Sequence, residues 1–587
     1  MTQSFAEFHL MVTTGWARRA SSPLPPGKIV VTLRLRLTAA LALGALFAAP
    51  TLALAQEADQ VPLRILAIND FHGNLLPPAG GIKIPDPADP GKTIAVPAGG
   101  SEAMATLVAQ LRAGAPNTIF VAAGDLIGAS PLLSGILHDE PTIESMSLMG
   151  LEASAVGNHE FDDGIAELLR LQHGGCPPGN LNCGEAENFK GAGFQYLAAS
   201  TIDDATGKPV LPPYYVKEFA GVPVAFIGLT LKGTPGIVMP SGVAGLTFKD
   251  EALTVNALVP EIRAKGIEAI VVLIHEGGFP TGGMNECPGI SGAITEIVPK
   301  LDRAVDLVIS GHTHKAYTCL IDGRLVISGD KFGTLVTAID VTLDRRTRDV
   351  TATKAENVIV RTEQLAKDPQ QTALIERYQK EVQPLADRVV GHLSAALTKE
   401  ETPAGETTLG DVIADAQLAA TRAEIASGAE IAFTNPGGVR TDLPYGNDGA
   451  VTYADVFAVQ PFGNSLVAME LTGRQIERLL EQQWVDQPKP RILHVSKGFT
   501  YDWDGSKPPG ERVDPASLRL NGKPIQPDGV YRVTVNSFLA DGGDGFSVLK
   551  EGRDRVTGPY DVNALADYLT AAGMVQPAPL NRITRLD

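Results

Sequence analysis

Short apolar runs alternate with amphipathic stretches through the first half of the chain. Six runs have the length and composition of buried strands, at 63–68, 118–123, 153–156, 222–229, 268–274 and 305–310. Between them, stretches such as 102–113 and 249–265 show helical periodicity. Alternation of helices with continuously apolar strands predicts an α/β layered domain.

The pattern changes near Glu363. Residues 364–390 are rich in charge and lack glycine, which indicates a linking helix with Pro369 in its first turn and Pro384 at a kink or near its end. Beyond it, turn-rich segments and shorter strands continue to Asp587 and predict a separate α+β domain. The predicted organisation is a signal region at 1–55, the layered domain at 61–362, the linking helix at 363–390 and the α+β domain at 391–587.

The N-terminal residues indicate export. Arg34 and Arg36 precede an apolar run at 37–53, and Ala53-Leu54-Ala55 fits a cleavage site. We therefore expect a periplasmic or extracellular protein whose mature chain begins near Gln56; the alternative is an uncleaved anchor. Residues 1–30 do not resemble a signal sequence, so our hypothesis is a start codon assigned too early. No later segment is predicted to span a membrane.

Charge and cysteine content narrow the possible partners. The chain has 587 residues and a net charge of −18, which argues against binding a nucleic-acid polymer or an anionic membrane. A small anionic substrate remains compatible, because a bound metal reverses the local field. Four cysteines in an exported chain favour two disulfides, and the expected pairs are Cys176 with Cys183 and Cys287 with Cys319. Oligomeric state stays open.

Polar residues of ligand type follow most of the apolar strands of the first domain. They form five motifs, D-F-H-G-N at 70–74, G-D at 124–125, G-N-H-E at 157–160, H-E-G-G at 275–278 and G-H-T-H at 311–314. In layered α/β folds the carboxyl ends of the strands share one edge, where ligands bind. The five motifs are therefore expected to converge on one site.

These motifs contain more metal-binding side chains than one tetrahedral ion needs. The candidates are Asp70, Asp125, Asn158, His72, His275, His312 and His314. Taken singly, an Asp or Asn is more often a turn residue or helix cap, and a lone His is more often structural. Together they suit two ions that share a bridging carboxylate. Mixed histidine and carboxylate ligation favours Zn, Mn, Co or Fe over Ca or Cu(I).

The order of these motifs resembles the calcineurin-like metallophosphoesterases, and G-N-H-E-F-D-D-G at 157–164 is similar to their 5′-nucleotidase branch. The resemblance implies a four-layer β-sandwich flanked by helices, with two divalent metal ions. It assigns one ion to Asp70, His72, Asp125 and His314, and the other to Asp125, Asn158, His275 and His312. It also makes His159 and Asp162 the catalytic dyad.

Local geometry is consistent with that dyad. If 158–165 opens a helix, residues 159 and 162 share one face. Asp162 then orients the imidazole of His159 and favours its cationic form, which stabilises the transferring phosphoryl group or protonates the leaving oxygen. The expected nucleophile is a metal-bound hydroxide that attacks phosphorus in line. Glu160 has no assigned task.

Three segments of the second domain resemble the C-terminal domain of 5′-nucleotidases. They are I-A-F-T-N-P-G-G-V-R at 431–440, Q-P-F-G-N at 460–464 and N-S-F-L-A-D-G-G-D-G-F at 536–546. The resemblance implies that Phe462 and Phe538 sandwich a nucleobase, that Asp544 binds the ribose hydroxyls, and that Asn435 and Arg440 hold the substrate. The loop at 402–406 lacks the arginine of some nucleotidases, which predicts a weaker or differently specific grip on phosphate.

The predicted function is an exported phosphohydrolase that releases phosphate from nucleoside 5′-monophosphates. The alternatives are a 2′,3′-cyclic-nucleotide phosphodiesterase with 3′-nucleotidase activity and a UDP-sugar hydrolase. A non-catalytic nucleotide binder is the less favoured reading. The family resemblance further implies rotation of the two domains about the linking helix.

Overall fold

The computed structural model describes residues 59–86, 88–177, 189–424 and 428–587. The predicted signal region and Cys183 lie outside the described residues. Residues Ala58–Asp587 form one compact unit. Across the described ranges, no helix combines the length and apolar character needed to cross a bilayer.

The N-terminal part of this unit contains most of the strands. They are β1 (Gln60–Ile68), β2 (Ile82–Asp86), β3 (Asp89–Val96), β4 (Thr118–Ala122), β5 (Ala153–Ala155), β6 (Gln195–Leu197), β7 (Thr201–Asp203), β8 (Lys208–Pro209), β9 (Tyr214–Phe219), β10 (Val222–Thr230), β11 (Leu246–Phe248), β12 (Ala269–His275), β13 (Leu307–Ser310), β14 (Ala316–Ile321), β15 (Arg324–Gly329), β16 (Leu335–Asp344) and β17 (Asp349–Ile359). The helices are α1 (Ser101–Arg112), α2 (Leu132–Gly135), α3 (Glu140–Leu148), α4 (Ile165–His173), α5 (Glu251–Ala264), α6 (Ile294–Ile297) and α7 (Pro369–Ala386).

Two six-stranded sheets, β17-β16-β1-β4-β5-β6 and β14-β15-β13-β12-β10-β9, pack face to face. Alternate side chains of β1 point to opposite faces, so that Leu63 and Ile65 join the core between the sheets. Leu66 packs instead in the core beneath the outer helices, with Met104 of α1. Burial on both faces explains the continuous apolar runs. The predicted four-layer sandwich flanked by helices is confirmed.

Parallel pairing brings the motifs to one edge. Strands β1, β4 and β5 run parallel in the first sheet, and β10, β12 and β13 run parallel in the second. Their carboxyl ends therefore lie at a common edge, as parallel strands require. Asp70, Asp125 and Asn158 follow the first three strands, while His275 ends β12 and His312 follows β13.

The linking helix is shorter than predicted. α7 covers Pro369–Ala386 rather than 363–390, because the Asp368 side chain caps it by accepting the backbone N–H groups of Gln370 and Gln371. Pro384 stands inside the helix, which ends two residues later. The helix docks on the sandwich through Gln371, whose side chain exchanges hydrogen bonds with Ser145 at 2.7 and 3.1 Å.

The C-terminal part has the predicted α+β character. Its strands are β18 (Val389–Leu393), β19 (Ile431–Thr434), β20 (Ala450–Thr452), β21 (Ser465–Thr472), β22 (His494–Val495), β23 (Phe499–Trp503), β24 (Arg519–Leu520), β25 (Lys523–Pro524), β26 (Val530–Asn536), β27 (Arg553–Tyr560), β28 (Met574–Val575) and β29 (Ile583–Arg585). Its helices are α8 (Thr408–Glu424), α9 (Tyr453–Val459), α10 (Gly473–Glu481), α11 (Ser537–Ala540) and α12 (Asp561–Ala572). The main sheet has the order β22-β19-β26-β21-β27.

An apolar cluster and a disulfide connect segments that are distant in the sequence. Leu132 of α2 packs in one apolar cluster with Phe457 of α9, and this cluster joins the N-terminal and C-terminal parts of the unit. The exact domain boundaries stay a prediction. The predicted disulfide between Cys287 and Cys319 is present and ties the loop after β12 to β14.

Candidate metal centre

Ligand-type atoms from the five motifs meet in three groups, and in each group these atoms lie within 4.8 Å of one another. The first group is Asp70, His72 and His314, and the second is Asp125, His275 and His312. A third group, His72, Asp125 and His159, shares one residue with each of the other two. In the first, Nε2 of His314 lies 3.1 Å from Nε2 of His72 and 3.3 Å from Oδ1 of Asp70.

Asp125, a member of the second group, also faces the first group. Its Oδ2 atom is 2.9 Å from Nε2 of His275 in the second group and 3.7 Å from Nε2 of His72 in the first. A carboxylate placed between two sets of ligands is the arrangement that a bridged pair of ions requires.

Backbone carbonyls orient two of the histidines. Nδ1 of His72 lies 2.9 Å from the Gly128 carbonyl oxygen, and Nδ1 of His275 lies 2.8 Å from the Ala123 carbonyl oxygen. A carbonyl only accepts, so each Nδ1 carries the proton and donates it. The Nε2 atom of each ring therefore points toward the centre, the orientation of metal-bound histidines.

The backbone is strained at these positions. Five predicted ligands have left-handed φ angles, namely Asp70 (50°), His72 (46°), Asp125 (50°), His312 (69°) and His314 (54°). Such conformations cost about 1–3 kcal/mol each for residues other than glycine and cluster at functional sites. The surrounding sandwich holds the ligands in place against this cost.

The donor set fits metal ions. Oδ1 of Asn158 is buried and has no hydrogen-bond partner among the described residues. Buried polar atoms without partners are rare, and a cation would satisfy this oxygen. Burial lowers the pKa of His312 to about 3, which favours the neutral form that binds metals. Burial also acts on His275, but Asp125 and Asp70 raise its pKa to about 10, so an ion there must displace a proton.

Glu160 has a structural task that the sequence did not reveal. Its Oε2 accepts the backbone N–H groups of Asp125 at 3.0 Å and Gly157 at 2.7 Å, and its Oε1 accepts that of Leu126 at 2.8 Å. The buried carboxylate thus ties the loop after β4 to the loop after β5. Gly157 is required there, because a Cβ atom would lie 2.1 Å from Oδ1 of Asp125.

The predicted dyad is in contact. Nδ1 of His159 lies 2.7 Å from Oδ2 of Asp162. The condition considered above, a helix that opens at 158–165, is not met: residues His159–Phe161 form a 3₁₀ turn, and α4 begins at Ile165 after Gly164. The contact survives because residues three apart also align in a 3₁₀ turn. Burial disfavours the His159 cation, but the carboxylates of Asp162 and Asp125 raise its pKa.

Two predicted substrate residues of the C-terminal part reach the dyad. The Phe462 ring stacks on the His159 imidazole, with centroids 5.7 Å apart and an interplanar angle of 17°. The Arg440 guanidinium carbon lies 5.6 Å from the Phe462 ring centroid. Burial lowers the pKa of Arg440, while Asp125, Asp162 and Asp70 act to raise it, so the guanidinium lies in the field of these three carboxylates.

The other three predicted substrate residues, Asn435, Phe538 and Asp544, lie close to one another in the C-terminal part. Asn435 donates to Oδ2 of Asp544 at 2.7 Å, and Arg491, which sequence reasoning missed, donates to Oδ1 at 2.5 Å. Phe538 packs so closely on Gly543 that a Cβ there would lie 2.4 Å from the phenyl ring. No motif signal marks Arg491, since it stands in a loop far along the chain from Asp544.

Two protein-family models match separate parts of this chain. Residues 63–316 match the calcineurin-like phosphoesterase family, and residues 389–551 match the 5′-nucleotidase C-terminal domain. Cell wall protein Lmo0130 of Listeria monocytogenes is 31% identical over 550 residues, which cover 88% of this chain and 68% of that protein. The chain belongs to the 5′-nucleotidase family of calcineurin-like phosphoesterases. It is therefore a phosphoesterase hydrolase.

Two further similar proteins match most of this chain. Endonuclease YhcR of Bacillus subtilis is 33% identical over 513 residues, or 87% of this chain, but this chain spans only 40% of that protein. The crystal structure of a 5′-nucleotidase precursor from Thermus thermophilus superposes with a TM-score of 0.71 and 28% identity, covering 90% of this chain and 99% of that one. The fold of the whole unit is thus that of the family.

Proposed function

We propose that this member of the family is an exported, dinuclear-metal phosphohydrolase that converts nucleoside 5′-monophosphates to nucleoside and phosphate. The observation that carries the proposal is the meeting of three parts at one place. Asp125 lies between two ligand groups, the His159–Asp162 pair lies beside them, and Phe462 stacks on that pair from the C-terminal part.

Each ion has a proposed set of ligands. One is held by Asp70, His72, Asp125 and His314, and the other by Asp125, Asn158, His275 and His312. When bound, ions of the Zn, Mn, Co or Fe type supply Lewis acidity toward the phosphoryl oxygens and toward the attacking water.

The chain's own residues handle the remaining charge and the proton. Asp162 holds the His159 imidazole through Nδ1, which leaves Nε2 to donate its proton to the leaving ribose oxygen. Arg440 lies in the same field and compensates negative charge on the phosphoryl group. No protein nucleophile is needed in this scheme.

The nucleoside is proposed to bind the C-terminal part. Asp544, oriented by Asn435 and Arg491, accepts hydrogen bonds from the ribose hydroxyls. Phe462 and Phe538 provide stacking faces for the base, worth about 1–3 kcal/mol each. Because Phe462 already stacks on His159, insertion of a base requires it to leave the imidazole. A rotation of the C-terminal part about α7 achieves this.

The proposed activity is tested by a phosphate-release screen over AMP, a UDP-sugar and a 2′,3′-cyclic nucleotide, with Mn, Co or Zn added. AMP is expected to give the highest kcat/KM. His159→Ala is expected to lower kcat roughly 10²–10⁴-fold without changing the metal content, since it removes a general acid. His173→Ala, an exposed position on α4, is the matched control.

Two outcomes would contradict the proposal. Preferred hydrolysis of the cyclic nucleotide or the UDP-sugar would replace the substrate assignment. A purified protein without bound transition metal, with His159→Ala as active as the unchanged chain, would replace the mechanism.

Export is proposed through the segment at 37–53 with cleavage near Ala55. The Cys287–Cys319 disulfide supports an oxidising compartment. Protein recovered from the periplasm or the medium is expected to begin at Gln56 on N-terminal sequencing. Retention of Met1, or recovery from the cytosol alone, would refute this part of the proposal.

A further inference from the structure

The loop at 123–131, which follows β4, carries one proposed metal ligand and orients another. The ligand that it carries is Asp125, and its Gly128 carbonyl accepts the Nδ1 proton of His72 at 2.9 Å. Asp125 and Ala129 have left-handed φ angles of 50° and 49°. Such angles are costly for residues other than glycine, so contacts from outside the loop must hold it in this conformation.

Two buried carboxylates hold this loop from outside. Glu160 accepts two backbone N–H groups near its start, as described above. Further along the loop, Oδ2 of Asp139 accepts the backbone N–H of Gly128 at 3.0 Å. The Asp139 carboxylate therefore fixes the residue whose carbonyl orients His72.

Asp139 stands at the N-cap position of α3 but does not cap that helix. An aspartate there usually accepts N–H groups of the first helical turn. Within α3, all of which the structure describes, no N–H group donates to the Asp139 side chain, and the φ angle of Asp139 is 59°. The helix thus forgoes a stabilising cap, and the backbone is strained as well. Both costs are consistent with a side chain that serves the loop rather than the helix.

Two hydroxyl groups fix the other oxygen of the Asp139 carboxylate. Oδ1 accepts the Ser134 hydroxyl at 2.6 Å, and the Ser134 oxygen lies 2.6 Å from Oγ1 of Thr142. Ser134 belongs to α2 and Thr142 to α3, so two helices determine where the carboxylate points. Because Asp139 is only 8% exposed, water does not replace these contacts.

Gly128 also packs against the dyad. A Cβ atom at this position would lie 2.7 Å from Cβ of His159 and 2.8 Å from Oδ2 of Asp162. The same residue contacts His72 through its carbonyl. A displacement of Gly128 would therefore reach a proposed metal ligand and the dyad together.

We propose that Asp139 is a positioning residue for phosphoester hydrolysis, which holds Gly128 so that His72 and the dyad keep their places at the metal centre. It acts through the Gly128 backbone and touches none of the proposed metal ligands. Without a fixed carbonyl acceptor at Nδ1, the His72 ring loses the hydrogen bond that sets its orientation. The inference rests on the ligand set of the proposed function but not on the nucleotide proposed as substrate.

Two substitutions of Asp139 separate its hydrogen bond from its backbone conformation. Asp139→Gly removes the carboxylate without new strain, because glycine readily adopts a φ of 59°. Asp139→Asn keeps an oxygen that accepts the Gly128 N–H, while its amide NH₂ donates to the Ser134 oxygen. Calorimetry on the metal-free full chain is expected to show Mn or Zn binding weakened roughly 10–100-fold in Asp139→Gly and largely restored in Asp139→Asn. Asp554→Gly, at an exposed position with a φ of 47°, is the matched control.

A second measurement distinguishes positioning from general stability. At saturating Co²⁺, the d–d absorption bands of Asp139→Gly are expected to shift, and kcat for p-nitrophenyl phosphate is expected to fall roughly tenfold with KM unchanged. Unchanged metal affinity and spectrum in Asp139→Gly, or an equal loss in Asp139→Asn, would overturn the proposal. If AMP is still hydrolysed by the unchanged chain, that outcome refutes only the role of Asp139. A chain that shows the expected pattern but does not hydrolyse AMP refutes only the proposed substrate.

Discussion

Replacing Glu160 with Gln tests how the metal-binding loops are held. The Glu160 side chain is 3% exposed and accepts three backbone N–H groups, from Asp125, Leu126 and Gly157. Glu160→Gln keeps the shape but has a single acceptor oxygen. If that oxygen replaces Oε2, the amide NH₂ faces the Leu126 N–H, and two donors oppose each other.

The magnitude follows from those contacts. Burial and the Asp125 carboxylate raise the pKa of Glu160 to about 8, so no additional strength from a full charge is counted. At least one hydrogen bond is lost, at about 0.5–1.5 kcal/mol, and a buried N–H is left unpaired, at about 1–3 kcal/mol. Little of this is screened by water because the carboxylate is buried. We therefore expect the two loops to lose about 2–4 kcal/mol of local stability, and the Asp125 carboxylate to lose its fixed position between the ligand groups.

The assay is hydrogen exchange followed by mass spectrometry on peptides that cover 124–128 and 157–161. A loss of about 2 kcal/mol speeds exchange through local opening roughly 30-fold. The phosphate-release rate at limiting metal is expected to fall in parallel. Glu218→Gln, at an exposed position on β9, is the matched control. Unchanged exchange in both peptides would refute the reasoning, because the three hydrogen bonds would then contribute nothing.

Three further predictions concern the dyad, the loop glycine and the disulfide. Asp162→Asn removes a carboxylate that raises the pKa of His159, so the protonated imidazole is lost at lower pH. The alkaline limb of kcat against pH is expected to move to lower pH, and an unmoved limb would contradict the dyad. Gly157→Ala places a Cβ 2.1 Å from Oδ1 of Asp125 and is expected to lower the metal content measured by mass spectrometry, whereas Gly236→Ala, which meets no atom within 4 Å, is expected to keep it. Joint replacement of Cys287 and Cys319 by Ser removes a disulfide that closes a loop with a sequence separation of 32 residues. The free energy of unfolding, measured in urea, is expected to fall by about 3–4 kcal/mol. A midpoint within error of the unchanged chain would show that the disulfide does not stabilise this loop.

Much of the sandwich was predictable because its signal is local. A strand buried on both faces is a continuous apolar run, so the predicted 118–123 and 153–156 differ from β4 and β5 by one residue at one end. The linking helix was overextended because its start is set by the side-chain cap of Asp368, which has no periodic signal, and because it ends two residues after Pro384. Residues 158–165 do not form one helix, because Gly164 has a left-handed φ of 84° and separates the 3₁₀ turn from α4.

The sequence by itself determined which side chains are available and at which strand ends they stand. Side-chain chemistry and the rule that parallel strands share a carboxyl edge were enough to predict that Asp70, Asp125, Asn158, His275 and His312 converge. Only the tertiary structure decided how they meet. The position of Asp125 between two groups, the tie made by Glu160 and the stacking of Phe462 on His159 depend on packing between segments far apart in the chain. Such contacts depend on how the two sheets pair and on how the C-terminal part docks. Neither can be predicted from local sequence patterns, because both are set by contacts between distant segments.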